Sequence, residues 1–323
     1  MGALIGTVSV FIFFAIFGGK QFLTVGGVSS WLNVAGELGI VAIPVGLLMV
    51  AGELDLSVGS VIASSSMVLA IVSGFFGAPV VVGIVLALAV GVVVGLINGN
   101  IVTRTRVPSF IVTLATNFAL AGLTLGFSRL LTNNVSVPID GGEWGHKLLG
   151  QLINNQFEVA IVWWMIVVVA VGWIVHVAKY GNWIFAIGGD LESARASGIR
   201  TNRVKIALYV GTALGAAFVG VMQTILYNSA QVAKGQSFVF NSICAVVIGG
   251  VLLTGGYGSV FGIVLGTLTF SIVNQGIYYT GWNADWASLI LGVLLLAAVL
   301  MNNTFRKVAL SYGPPPRTST RRG

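Results

Sequence analysis

Val80-Val-Val-Gly-Ile-Val-Leu-Ala-Leu-Ala-Val-Gly-Val-Val-Val-Gly-Leu-Ile-Asn-Gly-Asn-Ile-Val102 contains no charged side chain, and Thr-Arg104-Thr-Arg106 follows it directly. Crossing a hydrocarbon layer about 30 Å thick takes an α-helix of about 20 apolar residues, so this stretch is long enough. It lacks the period-2 alternation of a barrel strand, and in hydrocarbon every backbone amide must be satisfied internally, so the helix is the reading that remains. The rest of the chain agrees. Of 323 residues, 56% are hydrophobic and only 8% are charged, and the mean hydropathy is +0.98. A soluble domain carries about a quarter charged residues. The fold class is all-α, a polytopic membrane protein.

Nine further apolar runs stand between polar breaks. With the first they make ten: Ala3 to Phe17, Trp31 to Ala51, Ser57 to Phe75, Val80 to Val102, Phe110 to Leu131, Val159 to Ala178, Ile206 to Leu226, Phe238 to Leu253, Val260 to Tyr279 and Trp286 to Met301. The first, eighth and tenth are short for a full crossing, which tilt, extension or a re-entrant path would accommodate. The first run has no basic residue before it and no small-residue cleavage pattern after it, so it reads as a retained helix rather than a signal peptide. Residues 1–305 therefore form one membrane domain. Residues 306–323, with three consecutive prolines and several arginines, form a basic cytoplasmic tail too polar and Pro-rich to pack.

Lys and Arg accumulate in cytoplasmic loops. Twelve of the sixteen fall in three places: Arg104 and Arg106; Lys179, Arg195, Arg200, Arg203 and Lys205; and Arg306, Lys307, Arg317, Arg321 and Arg322. Even numbers of runs separate the three groups, so all three share one side, and both termini are expected in the cytoplasm. Lys20, Lys147, Lys234 and the segment from Thr132 to Glu158 are then outside. The net charge of +7 is accounted for by this topology and gives no reason to invoke nucleic acid, while the basic tail is expected to touch anionic membrane lipid weakly.

Gly is abundant, 44 residues, and recurs at four-residue spacing in Gly91, Gly95 and Gly99, in Gly211 and Gly215, and in Gly258, Gly262 and Gly266. Such stripes let helices approach closely. Cys244 is the one cysteine, and with two histidines far apart there is no metal-ligand pattern. No G-x-x-x-x-G-K-[ST] loop occurs, so the chain carries no ATP-hydrolysing motif and no cofactor site of its own.

The longest loop of the basic side runs from Lys179 to Lys205. Within it Asp190 is placed to cap a helix, Glu192 suits the first turn, and Gly198 suits the stop, which predicts a helix of about two turns on the membrane surface. A short helix joined to two spans can carry a push from a soluble partner into the membrane; the plainer reading is a solvated loop.

Tyr180-Gly-Asn-Trp-Ile-Phe-Ala-Ile-Gly-Gly-Asp-Leu-Glu-Ser-Ala-Arg-Ala-Ser-Gly-Ile-Arg200 resembles the coupling loop of ribose-type permease subunits of bacterial monosaccharide ABC importers, which share a superfamily with branched-chain amino-acid permeases. Glu53-Leu-Asp-Leu-Ser-Val-Gly-Ser60 resembles that family's signature after the second span, and Ala245-Val-Val-Ile-Gly-Gly-Val-Leu-Leu-Thr-Gly-Gly-Tyr-Gly-Ser-Val260 its late glycine-rich signature. The resemblance covers residues 30 to 305. It implies a type II importer-like permease of about ten spans in the bacterial inner membrane, moving a monosaccharide or small polyol. Its partners would be a second permease subunit, identical or not, two cytoplasmic subunits that bind the ATP, and a periplasmic sugar-binding protein. By the same resemblance Asp190, Glu192, Ala194, Arg195 and Gly198 would meet the ATPase. The segment Gln231 to Asn241 departs from the family pattern, which leaves the substrate open.

Glu53 and Asp55, with Ser57 and Gly59, are candidates for a cytoplasmic gate. A buried charge in hydrocarbon costs about 3 kcal/mol or more, so the structural alternative places both acids at the cytoplasmic membrane edge, hydrated, capping the third span at Ser57, or paired with a basic loop residue. Asn98, Asn117, Asn274 and Gln275 are candidates for the substrate path, since a sugar needs neutral hydrogen-bond partners; bonding to another helix is the alternative. A gradient-driven secondary transporter is the second functional class. It needs ionisable groups inside spans, and Glu37 is the one acid well inside a run.

Overall fold

The computed structural model describes residues 2–283 and 285–297. Its twelve principal helices are α1 (Gly2–Phe17), α2 (Val25–Val50), α3 (Val58–Phe75), α4 (Val80–Arg104), α5 (Ser109–Thr132), α6 (Ala160–His176), α7 (Lys179–Gly189), α8 (Leu191–Ala196), α9 (Thr201–Leu226), α10 (Gln236–Ile248), α11 (Val260–Gly276) and α12 (Trp286–Ala297). Each of the ten apolar runs coincides with a helix, the tenth only as far as residue 297. Six are long and apolar enough to cross a membrane, and a seventh crossing is available if α6 and α7 count as one broken span. The short ones are α1, α10 and α12. Gly249 and Gly250 end α10 five residues before the apolar run does. The tail expected at 306–323 lies outside the described residues.

Local chemistry sets the helix ends. Pro79 and Pro108 stand immediately before α4 and α5, where a missing N–H costs nothing. Thr24 and Ser259 cap α2 and α11 by accepting from Gly27 N and Gly262 N. α3 widens to i→i+5 bonding over its last turn, Ala70–Phe75.

Around the central helix α2 stand α6, α9, α10 and α11, and most of its side chains are buried. α4 lies antiparallel on α9 along the first glycine stripe. A Cβ on Gly91 would meet Ala213 O at 2.7 Å, one on Gly95 would meet Val210 Cα at 2.6 Å, and one on Gly99 would meet Ile206 Cα at 2.9 Å. The helix axes approach until backbone touches backbone, which supplies packing that hydrophobicity cannot supply in lipid. Outward-facing side chains of α4 and α5, such as Val85, Phe118 and Leu130, remain exposed and apolar, as a lipid-facing surface requires.

The basic end of the bundle carries the α4–α5 turn and α7–α8. The opposite end carries two small antiparallel pairs, β1 (Ser136–Pro138) with β4 (Ser229–Gln231), and β2 (Leu152–Ile153) with β3 (Phe157–Glu158). Strands were not expected. They lie outside the helical spans, and Asn33 of α2 holds the second pair by donating to Gln156 O and accepting from Glu158 N. The loop expected from Lys179 is also helical at once: α7 turns 75° from α6 at a break of two residues.

Candidate functional site

At the basic end, α8 forms as its residues predict. Asp190 Oδ1 accepts from Ser193 N at 2.9 Å, and Gly198 closes the helix at φ +82 with its N–H bonded to Arg195 O. Glu192 and Arg195 pair on its exposed face at 3.0 Å, while Ala194 is buried beneath. The backbone N–H of Ser193 holds the Asp190 carboxyl below the usual carboxylate range. A lowered value means that the cap is ionised throughout the neutral range and is lost only as pH falls through that value.

The end of α7, from which α8 springs, meets two other segments by close backbone contact. Gly256 N donates to Val50 O at 2.8 Å. A Cβ on Gly255 would meet Gly52 Cα at 2.9 Å and Gly188 O at 3.1 Å, and one on Gly256 would meet Gly189 Cα at 3.1 Å. The end of α2, the end of α7 and the glycine-rich segment after α10 therefore meet as bare backbone. The three motifs carrying the resemblance lie far apart in sequence, yet all reach this end of the molecule: two of them form this junction, and the third, starting at Glu53, directly follows Gly52.

From Gly52, which turns at φ +81, the chain runs without regular structure through residues 53–57 before α3 begins. Its side chains and amides are held by other spans. Leu54 N donates to Ser109 Oγ at 3.2 Å, Leu56 N to Thr113 Oγ1 at 3.1 Å, and Ser60 N to Asn117 Oδ1 at 3.3 Å, so α5 lines the segment like a pairing strand. Asp55 is fully buried. Its Oδ1 accepts from Ser57 N at 2.9 Å and Ser57 Oγ at 2.6 Å, and its Oδ2 accepts from Thr212 Oγ1 at 2.6 Å. Asn98 Nδ2 donates to Ser57 Oγ, and Thr116 Oγ1 donates to Asn98 Oδ1. Thr212 lies eleven residues beyond the start of α9, or about 16 Å along the axis at 1.5 Å per residue. Non-helical backbone at such depth is tolerated only where protein satisfies it, and here Ser109 and Thr113 of α5 and Tyr209 of α9, whose hydroxyl donates to Leu54 O at 3.4 Å, do so.

This corrects the placement of Asp55 at a hydrated membrane edge: it is sealed inside, and Ser57 contributes no side-chain cap to α3. Glu53 does pair with a basic loop residue, Lys205 of α9, and both side chains are only about one-eighth exposed. Gly59 packs against Gly235 and Val239, where a Cβ would meet Val239 Cγ2 at 2.7 Å. Truncating either member of the Glu53–Lys205 pair leaves a nearly buried charge, a loss of about 3–5 kcal/mol for such pairs. Glu53→Gln with Lys205→Met is expected to restore much of the melting temperature lost by either alone, in a double-mutant cycle.

Both polar ends of Asn98 are bonded within the protein, and Asn117 is nine-tenths buried. Asn274 and Gln275, half-buried at the other end of α11, bond to each other at 2.9 Å. Glu37 accepts from Gln223 Nε2 at 2.6 Å while its other oxygen has no partner among the described residues. Beside it, at the mouth of α6, burial holds Glu158 above the usual carboxylate range, offset by Lys234. The residues that sequence reasoning missed are Ser109, Thr113, Thr116 and Thr212. A hydroxyl inside an apolar run most often bonds its own helix, so no local pattern marks these four.

The chain matches, over residues 27–299, the family described as branched-chain amino acid transport system / permease component. It is 30% identical to the ribose import permease protein RbsC of Escherichia coli K12, over 88% of this chain and 87% of that protein. It is 29% identical to the fructose import permease protein FrcC of Rhizobium meliloti, over 93% and 84%, and 32% identical to the probable ABC transporter permease protein YphD of Escherichia coli K12, over 94% and 89%. No solved structure matches it.

Proposed function

This chain belongs to the family of branched-chain amino acid transport system permease components, and we infer that it is the membrane subunit of an ABC importer that admits a monosaccharide or small polyol. Relatives named for ribose and fructose import support the substrate class. ATP-binding subunits on the basic side and a sugar-binding protein on the other are the partners such a permease works with. A second permease copy would complete the passage. The short helices α1, α10 and α12 bring the crossings to ten when tilted or joined to neighbouring residues, with both termini cytoplasmic and the whole in the inner membrane of a bacterium.

The observation that carries the mechanism is the union of α8 with the bundle through bare backbone. A push on Glu192 and Arg195 cannot be absorbed by side-chain rotation at the Gly52–Gly188–Gly255 junction, because no side chains are there. It passes to the end of α2 and to residues 249–258. Asp190, Ala194 and Gly198 keep α8 rigid, and the ATPase meets its exposed face. Asp55, bonded to α9 and seated before α3, ties this movement to the non-helical segment, where Glu53, Ser57 and Gly59 would narrow the cytoplasmic exit. Asn274 and Gln275 offer neutral amides toward a sugar at the far end; Asn98 and Asn117 would line the passage only in another conformation.

The test is a charge swap on an exposed surface, Glu192→Arg with Arg195→Glu, which preserves the intrahelical pair. Membrane abundance is expected to stay unchanged, while ATP-binding subunits recovered with the chain fall by about tenfold, equivalent to 1.4 kcal/mol of attachment. Undiminished recovery would remove α8 as the contact. Uptake that persisted when the partner's phosphate-binding lysine was replaced would instead indicate a gradient-driven carrier, with Glu37 as its ionisable group.

A further inference from the structure

The elbow between α6 and α7 opens a cavity of about 740 Å³ whose walls are apolar and whose rim is basic. Pro44 and Leu47 of α2, Val171 and Ile174 of α6, and Ala207 and Leu208 of α9 form the walls. Lys179, Arg200 and Arg203 stand at the rim, and among the described residues none of the three meets a carboxylate. A second, smaller cavity of about 350 Å³ lies against Arg195, Ile199, Thr201 and Asn202 and shares Arg200 and Arg203 with the first. The two arginines therefore belong to the lining of both cavities.

We propose that this pair of cavities holds one anionic phospholipid of the cytoplasmic leaflet, with its phosphate between Arg200 and Arg203 and its acyl chain in the apolar chamber. Each part of the molecule finds its match. Guanidinium groups engage phosphate oxygens in pairs. α9 begins at Thr201, and the positive end of its dipole adds to the attraction for negative charge. Lys179 lies 5.3 Å from the ring of Trp183 and 5.9 Å from that of Tyr180, an aromatic and cationic grouping that favours headgroup depth. A soluble anion has no use for the apolar chamber, and a zwitterionic lipid leaves the cationic rim uncompensated. Gly198, the stop of α8, also lines the apolar cavity. The lipid would thus brace the angle between the handle and the spans.

The inference rests on the basic end being cytoplasmic, as the proposed function has it. Native mass spectrometry of the full chain, purified in mild detergent with phosphatidylglycerol, phosphatidylcholine or inorganic phosphate added, tests it. One retained phosphatidylglycerol per chain is expected, with occupancy reduced at least about tenfold by Arg200→Gln/Arg203→Gln and, independently, by Ala207→Trp, which fills the chamber without altering charge. Equal retention of phosphatidylcholine would overturn the proposal, as would thermal stabilisation by inorganic phosphate alone equal to that by phosphatidylglycerol. Retention unchanged in both variants would overturn it too; if the arginine variant kept the lipid yet lost the ATP-binding subunits, those arginines would belong to protein docking. Lipid retention is read on the chain by itself and subunit attachment is read separately, so failure of one leaves the other interpretable.

Discussion

Gly188→Val is expected to leave little folded protein in the membrane, and Gly188→Ala is expected to be scarcely better. A Cβ at this position would penetrate the carbonyl oxygen of Val50 and stand 2.6 Å from the amide of Gly256. Both obstacles are backbone, and they are bonded to each other at 2.8 Å, so neither can turn aside. Overpacking a side-chain core usually costs about 1–3 kcal/mol; here no rotamer change is available, and the cost is expected at or above the top of that range. The neighbouring Gly189 is the internal control, since a Cβ there meets nothing within 4 Å. Gly189→Ala is expected to change stability by no more than about 0.5 kcal/mol. Fluorescence-detected size-exclusion of both variants decides the matter. Gly188→Val running as abundant and monodisperse as the native chain would mean that the junction is not a fixed union of three segments.

Asp55 is the site of the second large effect. Asp55→Ala strips the acceptor from Ser57 N, Ser57 Oγ and Thr212 Oγ1 at once, in a position with no access to water. Each buried donor left without a partner costs about 1–3 kcal/mol, so a total of about 3–5 kcal/mol is expected, with partial relief if Thr212 keeps its bond to Tyr209 O at 2.9 Å. Asp55→Asn behaves differently. The amide oxygen still accepts both Ser57 donors, and the amide nitrogen donates to Thr212 Oγ1, whose proton then belongs wholly to Tyr209 O. Melting temperatures should therefore rank native and Asp55→Asn close together and Asp55→Ala well below. Uptake measured on Asp55→Asn at equal abundance separates a purely structural acid from a gate: retained uptake makes the carboxylate a brace, and lost uptake makes its charge part of the passage.

Much of this site was legible from residues alone because its parts are local. Asp190 four residues before Ala194 and Gly198 at the far end specify a capped two-turn helix within nine positions, and the helix is there. The pairing of Glu53 with a basic residue was one of three roles that charge and topology left open, without naming Lys205. The burial of Asp55 was not legible. Its second partner, Thr212, is 157 residues away in a run where a threonine looks like any other packing residue. The amides were ambiguous for the same reason: Asn98 and Asn274 look alike in sequence, yet one is enclosed by Ser57 and Thr116 while the other accepts from its neighbour Gln275.

Hydropathy and spacing by themselves determined that the chain is a set of membrane helices, roughly where most of them lie, which turn carries α8, and that the stripe of Gly91, Gly95 and Gly99 faces another helix. These properties depend on transfer into hydrocarbon and on backbone geometry within a few residues. Only the tertiary structure decided that Gly52, Gly188 and Gly255 face one another, that the non-helical residues 53–57 pack into the bundle, and that Arg200 and Arg203 join α6 and α7 in lining one chamber. Those depend on which helix lies beside which. In lipid, close backbone approach and shared hydrogen bonds choose the neighbour, and neither is written in the order of residues along any single span.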